Sequence, residues 1–304
     1  MMLEPQELYQ VEPDVPDLRG AVLLYEFRGF MDAGQAASGL AEYLLEEYEH
    51  EVVARFDTDQ LVDYRGRRPG MTFSVDHWEE YEAPELVAYA VRDDTGVPFV
   101  LLSGIEPDHQ WERFTAAVRS LMDLWGIRLA VGFHGIPMGA PHTRPLGVTA
   151  HATRQALLPN HERVLNRLKV PGNVGALLEL RLGEAGHDAV GFAAHVPHYL
   201  SQSAYPRASV RLLESIRDVT GLSLSDEPLR ESGREVDAEV DAQVRASDEV
   251  AEVVRALERQ YDMFVEGNSR DSLLAGDDEL PTGDEIGAEL ERFLAENHGP
   301  TPES

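Results

Sequence analysis

The chain has no cysteine, a single lysine (Lys169) and no run of eighteen apolar residues among its 304 positions. Without thiols, disulfides, zinc-thiolate sites and cysteine nucleophiles are excluded. A membrane-crossing helix needs about 20 consecutive apolar residues, so none is expected. The amino-terminal stretch MMLEPQELYQVEPDVPDL is acidic and proline-bearing where a secretory leader is basic and then apolar. No leader is expected, and a cytoplasmic location fits. Common catalytic signatures are missing as well. There is no Gly-Lys pair and hence no P-loop, no G-x-S-x-G elbow, no H-E-x-x-H, and no G-x-G-x-x-G after the first apolar run at 21–27. An unfamiliar site is still open.

What is abundant is acid. Fifty-five Asp and Glu against 26 Lys and Arg give a net charge of −29. A field of that sign repels nucleic acid and anionic membrane, both of which are bound through clustered Lys and Arg, so neither is expected as a partner. The excess is concentrated: residues 225–304 hold 23 acids and 7 arginines, a net of −16. That quarter reads as a solvated helical extension (225–304) following an amino-terminal arm (1–19) and an α/β core (20–224).

The core reading rests on alternation. AVLLYEF at 21–27 is a nearly continuous apolar run, as expected of a strand covered on both faces. Asp32 is placed to cap a helix at 33–48, with Leu40, Tyr43, Leu44 and Tyr48 at helical spacing. A strand at 52–56 completes a unit that predicts parallel pairing through a right-handed crossover. Strands at 86–91 and 99–103 flank the turn signal DDTG and predict an antiparallel hairpin. A helix follows with Trp111, Phe114, Val118, Leu121, Met122 and Trp125 on one face, then a strand at 128–133. Asn173 opens another helix that stops at Gly186; a strand at 189–196 and a helix at 207–219 close the core. The expected fold class is α/β, a mixed, mostly parallel sheet flanked by helices. Beyond it, 235–261 predicts one long or two abutting amphipathic helices. Thr282 and Glu285 make a capping box for a last one.

Candidate site residues gather where strands end, the place where open α/β sheets hold ligands. After 128–133 the pattern predicts a loop rich in Gly and Pro that carries His134, His142 and Arg144, then a short strand at 148–150 leading to His151. His195 and His198 end the strand at 189–196. Glu106 and Asp108 follow the strand at 99–103; they read either as catalytic acids or, for Asp108, as a helix cap, and the cap is favoured. Arg65, Arg67 and Arg68 stand together in a segment, 57–84, that breaks the alternation. They suit an anionic ligand or the chain's own acids, and the surplus of acid favours the second. The histidines could form an acid/base or metal constellation, yet no spacing among them fixes a ligand geometry, and neither a metal nor a cofactor is expected.

Several segments taken together, GFMDAGQAASGLAEYL, DYRGRRP, FVLLSGIEPDHQWERF, GFHGIPMGAPHTRP, VPGNVGALLELRL, HVPHYL with YPRAS, and LERQYD, resemble the proteasome assembly chaperone two family, most closely its actinobacterial members. The likeness runs from Gly20 to about Tyr261. It implies a phosphorylase/hydrolase-like α/β core and, by analogy with archaeal and eukaryotic relatives, binding to proteasome α subunits. Those relatives commonly end in a docking tripeptide with a penultimate tyrosine, which Pro302-Glu303-Ser304 does not match. The expected function is therefore a non-enzymatic protein-binding scaffold acting in complex assembly, self-associating as a homo-oligomer and with proteasome subunits as a partner class. The alternative is a phosphorylase/hydrolase-like enzyme or small-ligand binder built from Arg65, Arg67, Arg68, Glu106, Asp108, His134, His142, Arg144, His195 and His198.

Overall fold

The structure, a computed structural model, describes residues 3–158 and 168–267. In chain order the strands and helices are β1 (Tyr9–Val11), β2 (Val22–Arg28), α1 (Ala36–Glu47), β3 (His50–Phe56), β4 (Met71–Ser74), β5 (His77–Tyr81), β6 (Leu86–Arg92) and β7 (Pro98–Ile105). They continue with α2 (Trp111–Trp125), β8 (Leu129–Met138), β9 (Val148–Ala152), α3 (Val174–Glu184), β10 (Ala189–Pro197), α4 (Pro206–Thr220), α5 (Glu227–Ala246) and α6 (Asp248–Gly267). Eight strands make one sheet in the order β1-β3-β6-β7-β2-β8-β10-β9, and β4 and β5 form a ribbon of their own.

The sheet is mixed and mostly parallel. β7, β2, β8 and β10 pair in parallel at the centre, and the edges are antiparallel. The central strands are buried along most of their length on both faces, which is why their sequences read as unbroken apolar runs. On one face Leu24, Leu101, Val131 and Phe192 pack with α1 and α4 residues such as Leu40 and Leu212. On the other, Leu23, Tyr25, Leu102 and Ala130 pack with Phe114 of α2 and Leu178 of α3. Each fully buried Leu, Val or Phe contributes roughly 1.5–3 kcal/mol of transfer free energy, so the two layers hold the sheet from both sides.

Three expectations need correction. The crossover unit does not pair its own strands: β2 and β3 point the same way, but β6 and β7, joined by the expected antiparallel hairpin, lie between them. Local pattern reports burial and period, and cannot say which strand is inserted between two others. The loop expected from His134 is strand as far as Met138, because β10 pairs with it residue by residue from Ala130↔Ala189 to Met138↔Pro197. Finally, Asp32 does cap α1, but across a short 3-10 turn at Ala33–Gln35; its carboxylate accepts from the N–H groups of Ala37 and Ser38 at 2.8 and 2.9 Å.

The ends of the core are also tied in. β1 adds to the sheet edge beside β3, and Leu8 and Leu18 are fully buried. The segment expected as one long or two abutting helices is two, α5 and α6, with Ser247 in extended conformation between them. α5 buries Leu229 in the same apolar cluster as α4. The expected helix capped by Thr282 lies outside the described residues. Among the described residues no helix is long and apolar enough to cross a membrane.

Candidate functional site

Near the starts of two parallel strands, two glycines lie side by side: Gly132 of β8 pairs with Gly191 of β10. Neither could carry a side chain. A Cβ on Gly132 would lie 2.6 Å from the Tyr25 hydroxyl, and one on Gly191 would lie 2.0 Å from the His151 ring. The two rings therefore flank a floor of bare backbone, and between this floor and α3 opens a pocket of about 90 Å³ lined by Tyr25, Glu106, His134, His151, Gly175 and Glu179, among others. Tyr25 donates to the Gly175 carbonyl at 3.4 Å, and His151 Nδ1 meets Glu179 at 2.9 Å.

The two acids after the strand at 99–103, read as catalytic or, for Asp108, in favour of a helix cap, are structural ties. Glu106 is buried, and each of its oxygens accepts a backbone N–H: Phe30 at 3.0 Å and Val174 at 2.9 Å. It thus joins the turn after β2 to the start of α3. The amino terminus of a helix is where an anionic ligand is drawn, and here the chain's own carboxylate occupies it. Asp108 is not the cap of α2; that helix starts from Gln110 in left-handed conformation with no side-chain cap. Asp108 instead accepts from the Asp63 N–H at 2.7 Å and pairs with Arg67 at 2.5 Å. Burial opposes its ionisation, but Arg67 and the Asp63 N–H outweigh that and hold the carboxyl below its usual range. Arg67 also donates to the Glu106 carbonyl. Of the arginine cluster, it alone is used this way; Arg65 and Arg68 are exposed and reach no carboxylate among the described residues.

The histidines divide. His134 faces the pocket, and its ring makes no hydrogen bond among the described residues. Burial, reinforced by the neighbouring His151, brings its pKa down to about 4, so it is neutral at pH 7. His195 lies on the same sheet face and exchanges a hydrogen bond with Thr149 Oγ1 at 2.8 Å; burial lowers its pKa as well. His198 is exposed against Tyr199.

His142 and Arg144 are elsewhere, under the acidic helices. His142 is buried; its backbone N–H and Nδ1 both meet the Tyr199 hydroxyl, at 2.8 and 2.6 Å, and its Nε2 meets Asp241 of α5 at 3.3 Å. Arg144 grips Asp262 of α6 through two nitrogens at 2.8 and 2.7 Å and Glu258 at 3.2 Å. Arg207 of α4 joins the His142 carbonyl at 2.7 Å to Asp237 of α5 at 3.2 Å. The connection from β8 to β9 is thereby clasped by α4, α5 and α6.

Of the ten residues expected to form one cleft, Glu106 and His134 share the pocket and Arg67 with Asp108 brace it; the others lie apart. Tyr25 and Glu179 were not anticipated as lining residues. The signal for them lay in Gly132 and Gly191, since a glycine inside a strand marks close approach by another group.

The PAC2 family model matches residues 27–244. A crystal structure of a Mycobacterium tuberculosis protein of unknown function is similar over 86% of this chain and 93% of its own, with 45% identity and a TM-score of 0.83. A Corynebacterium glutamicum protein of unknown function covers 86% of this chain and 98% of its own at 35% identity and a TM-score of 0.82. A Mycobacterium tuberculosis proteasome-assembly chaperone homologue is 25% identical over 77% of this chain and 99% of its own, with a TM-score of 0.71. No curated protein matches the sequence.

Proposed function

The chain belongs to the PAC2 family, and on that premise we propose that it is a non-enzymatic scaffold that binds other proteins during the assembly of a complex. Proteasome subunits are the partner class, by likeness to the chaperone homologue, with the cytoplasm as its place of action and a homo-oligomer as its working form. The observation that carries this reading is the commitment of the acids at the strand ends. Asp32, Glu106 and Asp108 all hold backbone N–H groups or an arginine, so the acids that could serve an enzyme serve the fold. The test is co-purification of a tagged chain from its own cells followed by native mass spectrometry. Proteasome α subunits at fixed stoichiometry support the reading; their consistent absence contradicts it.

One observation favours a second reading, a small-ligand site in the same pocket. Glu179 takes the Nδ1 side of His151, which leaves Nε2 open to a ligand, and among the described residues the His134 ring has no hydrogen-bond partner. Glu106 at the start of α3 disfavours an anion, so neutral ligands suit the pocket. A thermal-shift screen with nucleosides and short peptides, with inorganic phosphate as the disfavoured control, tests this. A ligand at about 100 times its Kd adds roughly 2.7 kcal/mol and raises Tm by several degrees. A flat response to nucleosides and peptides removes the second reading.

A further inference from the structure

The helices α4 and α5 run antiparallel, as the contacts Arg207–Asp237 and Glu214–Arg230 between them require. Between them lies a groove of about 260 Å³, floored by Val210 and walled by Arg207, Arg211, Arg230 and Arg234, with Glu214 and Asp237 as its acids. Acids outnumber bases 55 to 26 in the chain, so four arginines around two acids reverse its overall balance locally. Asp237 is moreover a weak countercharge, because burial opposes its ionisation. On each helix the two arginines are four residues apart and share a face, and from Arg207 to the level of Glu214 the groove is about 10 Å long. The way the arginines are used matters as much. Arg144, Arg154 and Arg181 each close two nitrogens on one carboxylate. In the groove none does. Arg207 meets Asp237, Arg211 meets Glu214 and Arg234 meets Glu227, each through one terminal nitrogen at 3.2 Å. Arg230 spends a single nitrogen on both Glu214 and Asp226. The fork that lets arginine read a carboxylate with two parallel hydrogen bonds is thus left unclosed at four neighbouring positions.

We propose that this groove is a docking site for an acidic segment of a partner protein, taken in extended form with two carboxylates on alternate residues. The inference rests on the protein-binding reading above and assigns it a place. Spacing selects the occupant. Alternate residues of an extended chain point the same way about 6.6 Å apart, and arginines one helical turn apart stand about 6 Å apart along the axis. Two such carboxylates therefore meet two pairs of guanidinium groups, whereas a phosphate or another single small anion fills only part of the row. The chain's net charge of −29 opposes an acidic partner at long range. At an ionic strength of about 0.15 M that field is screened beyond about 8 Å, and contact within the groove is closer than this. The arginines are part-exposed, from 32% at Arg207 to 64% at Arg234, so the binding is weak, with a Kd on the order of 100 μM.

Fluorescence anisotropy of a short labelled peptide of alternating Glu and Ser, titrated with the full chain at about 0.15 M salt, tests this. The expected result is saturable binding that a Gln–Ser peptide of the same length does not show and that millimolar inorganic phosphate does not displace. Arg211→Gln with Arg234→Gln weakens the binding at least tenfold and hardly moves Tm, because each of these arginines holds one part-exposed ion pair. Arg65→Gln with Arg68→Gln removes the same charge from exposed arginines outside the groove and leaves the binding unchanged. Equal weakening by both double variants means that the peptide reads net charge and overturns the groove. A chain that binds phosphate and not the peptide makes it a small-anion site and overturns the assignment too. Absence of any binding by the wild type overturns the groove as well, and co-purification from the source cells then judges the broader reading separately. A protein recovered alike with wild type and with the Arg211→Gln, Arg234→Gln variant leaves the protein-binding reading standing without this site. Recovery of no partner with either overturns both.

Discussion

His134 and His142 lie eight residues apart in one stretch of chain, yet the fold treats them in opposite ways. His134 faces a pocket beside bare backbone, its ring keeps no hydrogen bond among the described residues, and burial holds it neutral. His142 is locked on both ring nitrogens, by Tyr199 and by Asp241. The difference comes from what arrives over each. The sheet face beside His134 is roofed by α3, whose small residues Gly175 and Ala176 leave space. The loop that carries His142 is met by the acidic helices α5 and α6, which close on it with carboxylates. Nearness in sequence grouped the two residues; the elements packed on top of them decide whether either is free to meet a ligand.

The comparison breaks most sharply at Glu106, which holds the pocket side together. Glu106→Ala leaves the N–H of Val174 unpaired in a buried place and that of Phe30 unpaired in a half-buried one, and is expected to cost about 2 kcal/mol, or roughly 4–8 °C in Tm. Glu106→Gln, which keeps an acceptor, loses less than half of that, as differential scanning calorimetry will show. A loss below about 1 kcal/mol for the alanine variant would mean that water replaces the carboxylate without penalty.

The pH dependence comes next. His134 has a folded pKa near 4, below its unfolded value, so the folded state disfavours its proton. Its contribution is present above about pH 6.5 and is lost as pH falls toward 4, on the order of 3 kcal/mol. Glu26, paired with Ser103 and raised by burial to about 7, has the opposite sign. Its folded state prefers the proton, so its contribution is present below the unfolded pKa and is lost as pH rises toward 7. Urea unfolding between pH 4 and 8 should show His134→Gln flattening the acid side and Glu26→Gln flattening the neutral side. An unchanged profile in both variants would place the titration elsewhere.

The smallest effect belongs to the clasp. Arg144 is partly exposed and its partner Asp262 more so, so Arg144→Ala should leave the global Tm almost unchanged. Its signature is local: faster amide hydrogen exchange in α6 with the sheet unchanged. Equal loosening of the pocket strands would show that the two regions are one unit and erase the contrast.

Much of the fold was legible because the central strands carry their burial on their face. AVLLYEF, FVLLSG and AVGFAAHV are apolar throughout, and such runs read as strands whatever their partners. The order of strands was not legible, since nothing local to β2 or β3 reports that β6 and β7 intervene. In the site, Glu106 and His134 were found by position at strand ends, while Asp108 was misread because a cap and an ion-pair partner look alike until Arg67 is seen to reach it. The segment from Asp57 to Pro84 announced itself only as a break in rhythm.

The central claim is that this chain works through proteins bound to its surface and that the pocket groups serve the fold. Native mass spectrometry of tagged wild type and His134→Ala, each pulled from the source cells, tests it most directly. The account predicts proteasome α subunits in complex with both. A bare chain carrying a small bound mass in the wild type and losing it in His134→Ala would contradict it and make the pocket the working site.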